Sequence, residues 1–175
     1  MGENSATTLL EGAVHVVRDG AGKAIDNIDT DMIFHNAHLA ITEIGKMGAY
    51  SFGNLEGWED FPERARPGDI LVVGENFGAG SSRQQAVDCF RALGITAIVG
   101  ESFGAIYLRN AINSGMPILI VPGIMATALS TGDEISIDLE ESTLEARGGQ
   151  LELPAPKPFS QVQLDIYRAG SLFKV

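Results

Sequence analysis

The sequence predicts an α/β fold with a central parallel sheet flanked by helices and a smaller antiparallel sheet. Between residues 68 and 122, three short apolar runs (ILVVG at 70–74, TAIVG at 96–100, PILIV at 117–121) alternate with two segments of helical periodicity. Continuous apolar runs of this length suit strands buried on both faces, and their alternation with helices implies right-handed crossovers and a parallel sheet. After residue 132 the pattern changes: Ile135, Ile137 and Leu139 alternate with polar residues, as do Leu144 and Ala146. That period marks half-exposed antiparallel strands. The chain has 175 residues, the size of one domain able to bury its own core.

The elements follow in order. AVHVVR at 13–18, before Asp19-Gly20, reads as a strand entering a turn. IDNIDTDMI at 25–33 places three aspartates, Asp26, Asp29 and Asp31, in a loop anchored by isoleucines. Residues 34–58 hold four glycines and little periodicity, and read as a helical segment plus a mobile loop; loops this long usually serve function or are disordered. The first strand of the alternating region leads to a helix over 82–93, with Ala86, Phe90 and Leu93 on one stripe and Gly94 as its stop. A second helix spans 102–114, with Phe103, Ile106, Tyr107 and Ala111 facing inward and Gly115 ending it. The antiparallel meander turns near Ser142 and at Gly148-Gly149, and FSQVQLDIYRAGSL closes the chain as a helix. No internal repeat, low-complexity tract or linker interrupts residues 1–175, so one domain is expected.

Composition excludes several functions. A net charge of −11 disfavours nucleic-acid binding and docking on an anionic membrane. The longest apolar runs fall far short of a membrane span. MGENSATTLLEGA lacks the basic and apolar regions of a secretory signal, and Ala6 spoils a myristoylation pattern, so a soluble, cytoplasmic protein is expected. The single cysteine, Cys89, cannot alone hold a structural zinc or an iron–sulfur cluster. His35 and His38 share an i, i+3 spacing, but no acidic third ligand accompanies them, and no metal site is assigned to this chain.

Chemistry concentrates in NFGAGSSRQQA at 76–86, between a buried strand and a helix. In parallel α/β sheets ligands bind at this end of the strands. A helix N-terminus favours an anion, Gly78 and Gly80 permit close backbone approach, and Arg83 can hold a carboxylate in a bidentate fork. A phosphate-binding P-loop is excluded, since Ala79 stands at its second glycine and no lysine follows. A dinucleotide fingerprint from Gly78 would need glycine at position 83, and Gly80-Ser81-Ser82 does not fit a nucleophile elbow. Two readings of the residues stay open here: an anion-binding turn, or a plain helix cap at Ser81 or Ser82 with Arg83 on the surface.

GENFGAGSSRQQA, with DNIDTDMI upstream and ESFGAIYLRNAINSGMPIL downstream, resembles the small subunit of the 3-isopropylmalate dehydratase (isopropylmalate isomerase) family, which corresponds to the swivelling domain of aconitase. The resemblance covers roughly residues 10–125, with three motifs in order. It implies a swivelling β/β/α three-layer domain and a hydro-lyase of leucine biosynthesis, assembled as a heterodimer. The large subunit of such enzymes carries a [4Fe–4S] cluster on three cysteines. By motif matching, Ser81 takes the position of the general base that removes the proton α to a carboxylate. Ser82 and Arg83 match its neighbouring substrate and transition-state ligands. Asp26, Asp29, His35, His38 and Gly80 are the candidate substrate-binding residues. Asx turns are the alternative role for the aspartates, and packing or solvent exposure within the loop is the alternative for the histidines.

This chain departs from the family pattern. Where relatives read GCGSSREHA it has Ala79, Gln84 and Gln85, and where they read ESFARI it has Ala105. The segment after DTD is also altered, and it leads into the 34–58 loop expected to read the substrate's variable side chain. The substrate class is therefore a hydroxy di- or tricarboxylate, with 3-isopropylmalate first and homocitrate, homoaconitate or 2,3-dimethylmalate as alternatives. A non-catalytic carboxylate-binding subunit is the rival from another class. Self-association of the isolated chain is left open by the sequence.

Overall fold

A computed structural model describes residues 6–175. The N-terminal signal and lipidation readings fall partly on residues 1–5, outside the described residues. Strands β1 (Leu9–Val16), β2 (Ile70–Val73), β3 (Ala97–Gly100) and β4 (Ile118–Ile120) form the parallel part. Strands β5 (Glu134–Asp138) and β6 (Thr143–Ala146) continue antiparallel, giving one six-stranded sheet in the order β4-β3-β2-β1-β5-β6. The two parts share β1: residues 14–16 pair in parallel with Ile70–Val72, while residues 9–13 pair antiparallel with β5. That sharing explains why the first strand runs over 9–16 rather than the expected 13–18. The meander has two strands, and residues 150–157 follow without a third.

Sequential parallel strands joined by right-handed crossovers must carry every crossover on one face. Accordingly α4 (Gln85–Ala92) and α5 (Ala105–Asn113) pack with Leu71, Val73 and Ile98 into one core, contributing Ala86, Val87, Phe90, Tyr107 and Ala111. The other strand faces, through Ile70, Val72 and Val99, meet Ile135, Ile137 and Leu144 of the antiparallel part and Leu164 of α6 (Gln161–Ala169). The sheet thus curls over one of its own faces while helices cover the other, giving the three layers.

The segment between β1 and β2 contains α1 (Thr30–Ile33), α2 (Ile44–Met47), α3 (Phe61–Arg64) and 3-10 turns at Asn36–His38 and Gly48–Tyr50. Its Phe34, Met47, Phe52, Leu55 and Trp58 are buried in the helix-side core. Trp58 also donates Nε1 to the Arg18 carbonyl at 2.9 Å. Much of the expected loop 34–58 is therefore anchored by aromatic packing, which a scan for helical or strand periodicity does not detect.

Two helices start later than the periodicity predicts. α4 begins at Gln85, with Gln84 as its N-cap and no side-chain cap, so neither serine caps it. α5 begins at Ala105 because residues 102–104 continue the parallel pairing, Phe77 bridging to Phe103.

Candidate active site

Beyond the carboxyl ends of β1, β2 and β3, three loops extend the parallel order. Asn27 donates its backbone N–H to Glu75, Gly78 to Ile28 at 2.7 Å and Thr30 to Ala79 at 3.0 Å. On the other side Phe77 donates to Ser102 and Gly104 to Phe77. The FGAG turn sits on Tyr107, whose ring is 5.4 Å from that of Phe77 and edge-on to it. The Tyr107 hydroxyl donates to the Ala86 carbonyl in the first turn of α4 at 2.9 Å, and burial raises its pKa well above the ordinary tyrosine value. Gly78 has φ +78°, and a Cβ there would lie 2.2 Å from Tyr107 Cγ. Only glycine satisfies both the backbone and the contact. Gly80, at φ +95°, makes the second left-handed step that turns the chain into Ser81.

Ser81 and Ser82 are exposed at the open rim of these loops. Each is held from behind. Thr30 Oγ1 donates to the Ser81 carbonyl at 3.0 Å, and Asn110 Nδ2 donates to Ser82 Oγ at 2.9 Å. Arg83 is mostly covered, its side chain 13% exposed, and its Nη1 donates to Asp31 Oδ1 at 3.1 Å and to the Phe34 carbonyl at 2.9 Å. Among the described residues its hydrogen bonds run through Nη1, while a guanidinium carries five donors. The Asp31 carboxylate is fully engaged: Oδ1 also accepts from the Asn36 amide at 2.9 Å and Oδ2 from Asn54 Nδ2 at 3.0 Å. The Asn36 amide is the main cause that holds its carboxyl below the ordinary value; partial burial opposes this and the Arg83 hydrogen bond adds to it. Asp31 is a brace for Arg83.

The other two aspartates do different work. Asp29 caps α1, accepting from Met32 N at 2.9 Å, and Asp26 accepts from Glu75 N at 2.8 Å. Both therefore make the backbone-directed bonds of the turn reading. Asp26 is exposed and lines an open groove of about 870 Å³ with Met32, Asn54 and Glu56. His35 Nδ1 accepts from Ala37 N at 3.0 Å, opening a 3-10 turn, and the His38 ring lies 4.1 Å from that of Tyr50. Gln84 donates to Ser114 Oγ at 2.9 Å and to Asp88 Oδ1 at 3.2 Å, and Gln85 donates to the Leu39 carbonyl at 3.3 Å. Gln84 and Gln85 thus tie the serine loop to the C-terminal end of α5 and to the 36–39 turn. The sequence reading did not single out Asn110 or the bracing role of Asp31. The RNAIN and DTD motifs contain both, yet only the three-dimensional register shows which side chain of each motif faces the serine loop.

Cys89 is fully buried on α4, and burial pushes its thiol up to about 12. A protonated, inaccessible thiol does not fit an iron–sulfur cluster, whose ligands are thiolates. Among the described residues no three His, Cys, Asp or Glu side chains gather as metal ligands, and no helix is long and apolar enough to cross a membrane.

The family model for the aconitase C-terminal domain matches residues 18–122. A 3-isopropylmalate dehydratase small subunit from Pyrobaculum neutrophilum is 40% identical over 86% of this chain and 92% of its own length. A methanogen homoaconitase small subunit from Methanothermobacter thermautotrophicus is 35% identical over 90% of this chain and 88% of its own. The crystal structure of 3-isopropylmalate dehydratase from Methanocaldococcus jannaschii superposes with a TM-score of 0.81 at 30% identity, covering 95% of this chain and 92% of that one. On sequence and fold together, the chain belongs to the aconitase C-terminal domain family, alongside the 3-isopropylmalate dehydratase small subunits.

Proposed function

We infer that this chain is the small subunit of a two-chain hydro-lyase that dehydrates and rehydrates a malate-type hydroxy acid, with 3-isopropylmalate as its first substrate and leucine biosynthesis in the cytoplasm as its setting. The observation that carries the reading is the serine loop of a dehydratase family, presented outward while its backbone and Arg83 are braced from behind. Arg83 holds a substrate carboxylate through donors other than Nη1, a charge-assisted contact that sets the α-carbon in place. Ser81 Oγ, as alkoxide, takes the proton from the carbon α to that carboxylate, and the C–H electron pair forms the double bond as the hydroxyl on the neighbouring carbon departs. A serine hydroxyl is a feeble base at its free pKa, so its anion needs nearby positive charge. With α4 starting only at Gln85, Arg83 is the group in this chain that supplies the charge. Ser82 donates its hydroxyl hydrogen to a carboxylate oxygen.

The [4Fe–4S] cluster belongs to the large subunit in this reading, because Cys89 is unsuited to hold it. Gly80 allows the substrate to approach the turn. The 34–58 segment, above all its exposed part around His35 and His38, reads the substituent that distinguishes one malate from another, and Asp26 and Asp29 shape the neighbouring edge. A homoaconitate-type substrate is the second reading, favoured by the relative that carries that name.

The test is co-expression with the large subunit under anaerobic conditions, followed by assays of 3-isopropylmalate, homocitrate and 2,3-dimethylmalate for loss or transfer of water. Turnover of 3-isopropylmalate that disappears in Ser81→Ala is the expected result. A complex that is inactive on all three would favour a carboxylate-binding subunit, and full activity in Ser81→Ala would remove the assigned base.

A further inference from the structure

We propose that Asn110, on α5, is a positioning residue that fixes the direction in which the Ser82 hydroxyl points. Its Nδ2 lies 2.9 Å from Ser82 Oγ. A side-chain NH2 only donates, so Ser82 Oγ must accept in this contact. The hydroxyl hydrogen is then forced away from α5. Ser82 is exposed, so this hydrogen is presented at the open rim where a carboxylate oxygen would arrive. Without Asn110 the hydroxyl rotor has no partner behind it and samples all three staggered directions.

The backbone of Asn110 is tied to the same loop: its main-chain carbonyl accepts from Ser114 Oγ at 2.5 Å, and Ser114 Oγ accepts from Gln84 Nε2 at 2.9 Å. Gln84 stands two residues after Ser82, so the contacts close a ring through Ser82, Asn110, Ser114 and Gln84. The donors and acceptors are mutually consistent: Gln84 donates to Ser114, Ser114 donates to the Asn110 backbone carbonyl, and the Asn110 side-chain amide donates to Ser82. The ring also gives Gln84 a role that a carboxylate could not fill, because a carboxylate at that position would have no hydrogen to donate to Ser114.

The inference rests on the reading of Ser82 as a substrate contact, and two measurements separate its failure from the failure of that reading. In amide NMR spectra of the full chain, Ser82→Ala should displace the side-chain NH2 pair of Asn110 and leave that of Gln85 in place. An unmoved Asn110 pair would overturn the proposal whether or not the complex is active. In the reconstituted complex with 3-isopropylmalate, Asn110→Ala should raise KM by about ten-fold, the lower end expected for a lost hydrogen bond to a charged group, with kcat changed far less. The same substitution in a Ser82→Ala background should add nothing. An equal KM increase in both backgrounds, or a loss confined to kcat, would show that Asn110 does not act through Ser82.

Discussion

Gly78→Ala tests whether the serine loop is built on the Tyr107 ring. Two costs arise at once. The residue must keep φ near +78°, and a left-handed conformation costs an L-residue about 1–2 kcal/mol. The new Cβ would also stand 2.2, 2.5 and 2.6 Å from Tyr107 Cγ, Cβ and Cδ2. Tyr107 is fully buried, edge-on to Phe77 and tied to the Ala86 carbonyl, so the ring has nowhere to retreat. Overpacking of that kind adds roughly 1–3 kcal/mol. The sum is about 2–5 kcal/mol, which lowers the urea midpoint by roughly 1–2.5 M at a slope of about 2 kcal/mol/M. Gly22 and Gly20 provide internal controls. Gly22 has φ +80° with nothing within 4 Å of a Cβ, so alanine there should show the backbone cost alone. Gly20 has open space and no left-handed φ, so alanine should be nearly neutral. Urea unfolding of the three variants should rank them Gly78 worst, then Gly22, then Gly20. A Gly78→Ala midpoint equal to that of Gly22→Ala would refute the role given to the ring.

Three further outcomes follow from the site. Gln84→Glu sets a carboxylate against Asp88 Oδ1, now 3.2 Å from the amide. It should destabilise the chain by about 0.5–1 kcal/mol at pH 7, as an amide–carboxylate pair is exchanged for like charges at i, i+4; paired thermal melts in low and high salt check this, since screening should shrink the deficit. Asp31 has its carboxyl lowered in the folded chain, first by the Asn36 amide. Its contribution is therefore present above the ordinary value of 3.8 and lost as pH falls through the lower folded value. Asp31→Asn should cost stability at pH 7 and converge with the parent in acid, and urea midpoints that differ equally at both pH values would contradict the assignment. Cys89, with its thiol pushed up to about 12 by burial, should resist a disulfide reagent at pH 8 in the folded chain and react stoichiometrically in denaturant. Rapid labelling of the folded chain would overturn its burial.

The antiparallel strands and the helices were legible because their cores repeat at periods of 2 and 3.6, and the parallel strands because they are continuous apolar runs buried on both faces. Ile135, Ile137 and Leu139 alternate, and Ala86 and Phe90 share one helical stripe. What was not legible depends on contacts between distant parts of the chain. Residues 82–84 have helical composition, yet Thr30 and the Phe34 carbonyl hold this stretch out of α4 from about 50 positions away. The three aspartates of DNIDTD look equivalent in sequence. Asp29 caps α1, and that single turn carries Asp31 round to Arg83 while Asp26 is left on the groove. Burial of the 34–58 segment was hidden for a related reason: Phe52 meets Trp58 at a centroid distance of 5.9 Å and Phe34 meets Tyr50 at 6.2 Å without any regular spacing. The serine–serine–arginine triplet was found through resemblance, since its spacing alone did not separate an anion site from a helix cap.

The arrangement of the bonds suits the proposed division of the site between two chains. Every brace on residues 81–85 comes from the protein side: Thr30 on the Ser81 carbonyl, Asn110 on Ser82, Asp31 and Phe34 on Arg83, the Leu39 carbonyl on Gln85. Ser81 and Ser82 are exposed on the other side. Preorganised polar groups are most effective where water is excluded, because an ion pair worth about 1 kcal/mol in water strengthens several-fold at low dielectric. In the proposed function this chain sets the geometry but leaves the rim open, so Arg83 would gain full strength toward a carboxylate only when a second surface covers it. Docking of that surface then needs little rearrangement of the serine loop, since the loop is already fixed. On that proposal orientation and desolvation are divided: the first is built into this fold, and the second would be supplied by the partner that closes over it.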